Sequence, residues 1–301
     1  MPKLIAQESL RRSILAITAN PPLRRAGGRC LRSIAVYFFL LQYRLHRRAL
    51  KFPGRIAVSA VDHSLDKAIP FRPWWVRRYL DFVAFWVRLV GFLLRTYRRR
   101  GIRPAREFID AMGSLYGYAA QVYEKNLSTT QRPRYLGHPR FLVIHATDPH
   151  LMCIPSLHVM VVIRTYTAFR AIARSLGDTE RLAPQLRELK DGALRIIEAL
   201  LYVKQHSINC VAAGMYTMTT FDRTLFPPEE ASAFISPLFI HAQRPTPQDA
   251  ARIREAILQQ YRAFLTQGEG ASSWEEPLLH FLHYAPKQIL KGPRAPGGPP
   301  G

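Results

Sequence analysis

The stretch from Cys153 to Tyr216 constrains the fold of this chain more than any other. It opens with Cys-Ile-Pro-Ser-Leu-His (153–158) and runs to Lys-Gln-His-Ser-Ile-Asn-Cys-Val-Ala-Ala-Gly (204–214). Each half sets one histidine beside apolar sequence. His158 precedes Val159 to Ile163, and His206 precedes Ile208, Val211 and Ala212. If the helices that carry them pack side by side, the two imidazoles meet. Imidazole is the side chain best suited to proton transfer or nucleophilic attack near neutral pH. Upstream, Lys125 and Arg132-Pro133 supply cations. Phosphoryl transfer asks for this set: cations to balance the phosphate oxygens, one imidazole to attack, and one to protonate the leaving oxygen.

Charge narrows the partners. The chain has 43 Lys and Arg against 21 Asp and Glu, a net charge of +22 over 301 residues. Such an excess favours polyanions. No zinc-finger spacing, basic zipper or aromatic RNA-binding motif is present, so nucleic acid is not expected and anionic lipid is the better partner. The three cysteines, Cys30, Cys153 and Cys210, make no disulfide framework. No apolar core followed by a small-residue cleavage site opens the chain, so a secretory signal is not expected.

Along the chain, residues 1–31 read as basic and loop-like, broken by Pro21-Pro22 and Gly27-Gly28. Residues 33–43 are a short apolar helix running into Arg44, Arg47 and Arg48, an interfacial pattern. Segment 74–94 has the length of a membrane span but holds Arg77, Arg78, Asp81 and Arg88; segment 151–172 holds Arg164 and Arg170; segment 205–221 is free of formal charge but short. Residues 105–124 place Phe108, Met112, Leu115, Ala119 and Tyr123 at helical spacing. A polar loop is expected over 126–131, and a long helix or broken pair over 188–221. Thr246-Pro247-Gln-Asp249 starts a C-terminal helix, Ser273-Trp-Glu-Glu276 reads as a capping box for a last one, and 292–301 reads as a disordered Pro/Gly tail.

The ordered motifs Lys125-x6-Arg132-Pro133, Pro155-Ser156-Leu157-His158 and Lys204-Gln205-His206 resemble those of the type-2 phosphatidic acid phosphatase and vanadium haloperoxidase superfamily, in its lipid phosphatase and phosphotransferase branch. Asp66-Lys-Ala-Ile-Pro-Phe-Arg-Pro73 is similar to that branch's entry to its first core helix. The resemblance implies an all-α, membrane-associated helical bundle with C-terminal amphipathic helices. It divides the chain into a basic N-terminal region (1–59), a phosphatase-like core (60–222) and a C-terminal extension (223–301). It implies a multi-pass membrane location, a surface-bound one being the alternative. The substrate implied is a phospholipid or other lipid phosphate. His206 is expected as nucleophile through a phosphohistidine, and His158 as general acid. Lys125, Arg132, Ser156 and Lys204 are expected to bind phosphate, with no metal and no cofactor.

The chain departs from that pattern at the third motif. Cys210 stands where the family has the Asp that orients the nucleophile, Leu200 where an arginine is common, and Ser207 follows the histidine. A thiol is a weak acceptor. If His206 and Cys210 share a helical face as an i,i+4 pair, Cys210→Asp is expected to raise activity. Two other readings remain open: a weakened or inactive relative that binds anionic lipid or phosphate as a scaffold, and a basic membrane-surface adaptor.

Overall fold

Asn20 sets the first feature the sequence hid. In the computed structural model, which describes residues 4–51, 57–148 and 150–289, Ser9 caps α1 (Leu10–Ala19) by accepting from the Arg12 N–H, and Asn20 caps α2 (Pro21–Ile34) by accepting from Leu23 N–H. The prolines expected to break a loop instead occupy the first turn of α2, where no N–H is needed. The N-terminal region is therefore helical, not loop-like. A π-helical stretch, Ala35–Leu40, leads into α3 (Leu41–Lys51).

After β1 (Ala57–Ala60), a 3-10 turn (Ser64–Ala68) is closed by reciprocal bonds between His63 and Asp66. A second 3-10 turn (Pro73–Trp75) leads into the short α4 (Val76–Tyr79), then α5 (Phe82–Tyr97) and α6 (Arg99–Lys125). Gly101 and Pro104, which read as breakers, lie inside the first turns of α6. A Cβ at Gly101 would sit 2.5 Å from the Leu93 carbonyl, so the tight α5–α6 corner requires glycine. Then come β2 (Ser128–Thr129), α7 (Pro139–Thr147), α8 (Leu157–Ser175), α9 (Ala183–Tyr202), α10 (Ile208–Phe221), α11 (Pro228–Ile235), α12 (Pro247–Glu269), α13 (Glu276–Tyr284) and β3 (Lys287–Ile289).

Helices α8 and α10 form the centre. Both are apolar on nearly every face, the mark of a helix buried on all sides. Helix α8 packs on α5, α6, α9 and α10, while α1 lies along α5, α2 along α6, and α12 along α10. One apolar core runs from Ile5 to Leu282. Each fully buried Val, Ile or Leu in it stabilises by roughly 1.5–3 kcal/mol relative to exposure. Thr165 and Thr167 satisfy their buried hydroxyls on the Val161 and Ile163 carbonyls. Thr246 accepts from Asp249 N–H and starts α12 as expected. The capping box expected from Ser273 does not form; Ser272 donates to Glu276 instead, through both its N–H and its hydroxyl.

The helical body agrees with the expected fold class. A three-stranded sheet, order β2-β1-β3, is added to it. Strand β1 pairs in parallel with β2 (Ser59 opposite Ser128) and antiparallel with β3 (Val58 opposite Gln288). Strands of two to four residues leave no alternation to read, and β2 falls where a polar loop was expected. No helix among the described residues is long and apolar enough to cross a membrane. Three of the arginines that interrupt the apolar segments find acids within the protein: Arg164 with Asp222 at 2.6 Å, Arg170 with Glu230 at 2.5 Å, and Arg88 with Asp81 at 3.3 Å. The expected disordered tail, 292–301, lies outside the described residues.

Candidate functional site

Strand β2 positions the first histidine. The Ser128 hydroxyl accepts from Cys153 N–H (3.1 Å) and Ile154 N–H (2.9 Å), and the Tyr123 hydroxyl donates to the Pro155 carbonyl. Residues 153–155 are thus pinned to the end of α6 and the strand that follows it. Helix α8 starts at Leu157, so His158 stands in its first turn. The second histidine is set by the turn between α9 and α10. Lys204 takes a left-handed φ of 55°, Gln205 N–H bonds the Leu200 carbonyl (3.1 Å), and Asp66 Oδ1 accepts from Ile208 N–H (3.0 Å). A Cβ on Gly214 would lie 2.9 Å from Val159 Cβ; the bare backbone there lets α10 rest on α8.

The result is a close pair. The His158 and His206 ring centroids are 5.4 Å apart with planes at 65°. Tyr79 stacks on His158 at 4.5 Å, and Phe82 covers it at 4.3 Å. Both imidazoles line a cavity of about 400 Å³ whose walls are mainly apolar, with Asp148 and His150 also on its lining. That volume suits a small ligand. Burial pushes His158 down to about 4. It pushes His206 well below the usual imidazole range, and the neighbouring His158 and His150 add to the shift. Both rings are therefore neutral at pH 7. The Nδ1 of His206 and the hydroxyl of Ser156 are buried and have no hydrogen-bond partner among the described residues.

Arg132 is held by Gln205 and Asp148, outside the cavity lining. Its guanidinium donates to Gln205 Oε1 (3.2 Å) and the Asp148 carbonyl (2.8 Å), and lies 3.6 Å from the Asp148 carboxylate. Burial works against the Asp148 charge. Hydrogen bonds from His150 and the Arg132 charge outweigh it and hold the carboxyl at about 2. Asp148 Oδ1 accepts from His150 N–H (2.9 Å), and His150 Nε2 is 2.8 Å from the Thr130 hydroxyl.

Two of the expected phosphate ligands are placed elsewhere. Lys125 is half exposed and ion-paired with Glu275. Lys204 donates to the Asp66 carbonyl, and burial lowers its pKa. None of Lys125, Lys204, Arg132 and Ser156 lines the cavity, and Arg132 reaches its lining only through Asp148. In both lysines, a nearby oxygen from outside the motif captures the ammonium. Ser156 is fully buried one residue before α8. The expected His206–Cys210 pairing on a helical face does not arise, because α10 begins at Ile208 and leaves His206 on the preceding turn. The carboxylate whose charge reaches His206 is Asp148.

Tyr79, Asp148 and His150 were not singled out from the sequence. Asp148 read only as a turn signal, and the one available signal was the Asp-x-His spacing of 148 and 150 ahead of Pro-Ser-x-His. No group of three or more His, Cys, Asp or Glu among the described residues could hold a metal ion. Comparison with family models, with curated proteins and with solved structures returned no match.

A neutral imidazole is a competent nucleophile. A general acid must carry a proton, which burial opposes at His158. A phosphate anion bound beside the rings would favour the charged form of either and so raise the pKa values that burial lowers.

Proposed function

We propose that the chain is a lipid phosphatase or phosphotransferase that cleaves a phosphate ester through a phosphohistidine on His206. His158 protonates the leaving oxygen, and Arg132, bonded to Asp148 on the cavity lining, is the cation next to the site. The observation that carries this reading is the pair of neutral imidazoles 5.4 Å apart on the lining of a largely apolar cavity. The apolar walls suit a lipid chain beside its head group. The acceptor is water or a lipid hydroxyl, and the protein works at a membrane. The test is release or exchange of the head group from a panel of lipid phosphates, with His206→Ala and His158→Ala as controls. Turnover that persists in both variants would refute the assignment.

A second reading, a non-catalytic relative that binds anionic lipid, is favoured by one set of contacts. Glu275 and the Asp66 carbonyl hold Lys125 and Lys204, and Asp148 offsets the charge of Arg132. Lipid binding without turnover, equal in wild type and His206→Ala, would select it.

A further inference from the structure

The mouth of the cavity is ringed by apolar side chains that face solvent. Leu31, Phe39, Leu80 and Val83 line the cavity and are 67%, 58%, 37% and 44% exposed. Val36 and Leu40, 42% and 53% exposed, extend this surface along the same helical segment away from the cavity. Contiguous exposed apolar surface of this kind marks an interaction site rather than a solvated face.

Charge flanks it on one side of the sequence and one sign only. From Ser9 to Val61 the chain has no Asp or Glu and eleven Lys or Arg. Arg32, Val36, Leu40, Tyr43 and Arg47 are all exposed and recur at three- and four-residue spacing, an apolar stripe with an arginine at each end. Arg32, Arg44, Arg47 and Arg48 have no ion-pair partner among the described residues, whereas Arg29 pairs with Asp110 at 2.7 Å. An apolar stripe between arginines that can extend their stems is the pattern of a helix lying in a lipid–water interface. A second copy of this chain would bring the same acid-free surface against itself, and like charge opposes that pairing.

We infer that the segment from Leu31 to Arg48 is a docking surface for an anionic phospholipid bilayer, on which the protein lies with the cavity mouth against the lipid. The exposed rim enters the head-group region, the arginines meet lipid phosphates, and an apolar ligand passes into the cavity without crossing water. In giving the cavity a bilayer as its source of ligand, the inference rests on the lipid-ester reading above. The surface itself stands on exposure and charge.

The experiment is sedimentation with vesicles of phosphatidylcholine alone or with about 30% phosphatidylglycerol, at about 0.15 M salt. Wild type is expected to bind the anionic vesicles at least about tenfold more tightly than the neutral ones. Val36→Asp/Leu40→Asp should lose about tenfold or more, with its melting temperature kept as a check of folding. Arg44→Gln/Arg47→Gln/Arg48→Gln should lose the preference for phosphatidylglycerol. Because Cys30, Cys153 and Cys210 are buried, a fluorophore on Leu40→Cys reports the rim selectively. It should shift to the blue with anionic vesicles, while one on exposed Glu255→Cys of α12 should not. Wild type left in the supernatant, unchanged binding by the aspartate pair, or equal shifts at both labels would overturn the inference. So would a dimer of the free protein that the aspartate pair dissolves, since that would give the surface to a second copy. Hydrolysis of a water-soluble phosphate ester, which Val36→Asp/Leu40→Asp should retain, keeps the two readings apart. Vesicle binding with no hydrolysis leaves the docking surface standing and removes the catalytic reading.

Discussion

The imidazole ring centroids of His158 and His206 lie 5.4 Å apart, edge-on at 65°, although the whole of α9 separates them in the chain. One ring stands in the first turn of α8 and the other on the turn before α10, so the pair depends on the α8–α10 contact at Gly214. A side chain there would press on Val159 and on the Ser156 carbonyl. Gly214→Val is expected to lower stability by about 1–3 kcal/mol through overpacking. It should also spread the histidines and reduce turnover in the fraction that still folds. Denaturant unfolding together with initial rates checks both effects.

Acid should destabilise the protein through these two rings. Burial puts the folded-state pKa of His158 at about 4 and that of His206 well below the usual range, against about 6.5 in the unfolded chain. Above pH 6.5 both states are neutral, and the stability is fully present. As pH falls from 6.5 toward 4, the unfolded chain takes up protons that the native rings refuse, and stability is lost. The loss should be on the order of one to a few kcal/mol. Melting temperature from pH 7.5 to 4.5 should fall, and His158→Phe should flatten part of the fall. A melting temperature that holds level over that range would contradict the burial of the pair.

Cys210→Asp should weaken the protein, not activate it. Cys210 is fully buried and its thiol is pushed far up by burial. His206 lies off the helix that carries it. A carboxylate at 210 would be an unpaired buried charge costing about 3 kcal/mol or more. Cys210→Ala, which only removes volume, should cost about 1 kcal/mol. Rates and melting temperatures of the two variants, taken side by side, check this.

Much of the site was legible because it is local. Pro155-Ser156-Leu157-His158 and Lys204-Gln205-His206 point to histidines that do share a cavity, and the apolar runs after them are the buried helices α8 and α10. What was not legible is set by contacts distant in sequence. Glu275 captures Lys125, the Asp66 carbonyl captures Lys204, and Tyr79 reaches His158 from α4. Asp148 meets Arg132 only because β2 carries residues 126–132 past the loop before α8. The N-terminal helices were missed for a different reason. Basic residues and paired glycines hid α1 and α2, each of which is started by a single capping side chain, Ser9 and Asn20, that counts for little in a composition.

The cations should divide in function as they do in space. Lys125→Ala leaves the buried Glu275 carboxylate without its cation, so stability should fall by more than the roughly 1 kcal/mol of a fully exposed pair. Phosphate binding should be unchanged. Arg132→Gln should lose phosphate by about tenfold or more, since a charge-assisted hydrogen bond stabilises by about 1.5–3 kcal/mol. Titration of inorganic phosphate by calorimetry separates the two, and equal losses would contradict the placement of Lys125.

Asp148→Asn should free Arg132. With the carboxylate gone, the guanidinium is no longer offset, and inorganic phosphate should bind more tightly. Stability should drop, because His150 and Arg132 both lose an anionic partner. The same calorimetric titration, with a melting curve, checks both directions at once.

The central claim is that the paired imidazoles turn over a lipid phosphate ester. Its most direct test is the initial rate of head-group release from a short-chain lipid phosphate by wild type, His158→Ala and His206→Ala, each shown to be folded by its melting temperature. The account predicts measurable turnover in wild type, none in His206→Ala, and a loss of about a hundredfold or more in His158→Ala, the scale of a missing general acid. Wild type with no turnover on any ester, or His206→Ala at the wild-type rate, would contradict it.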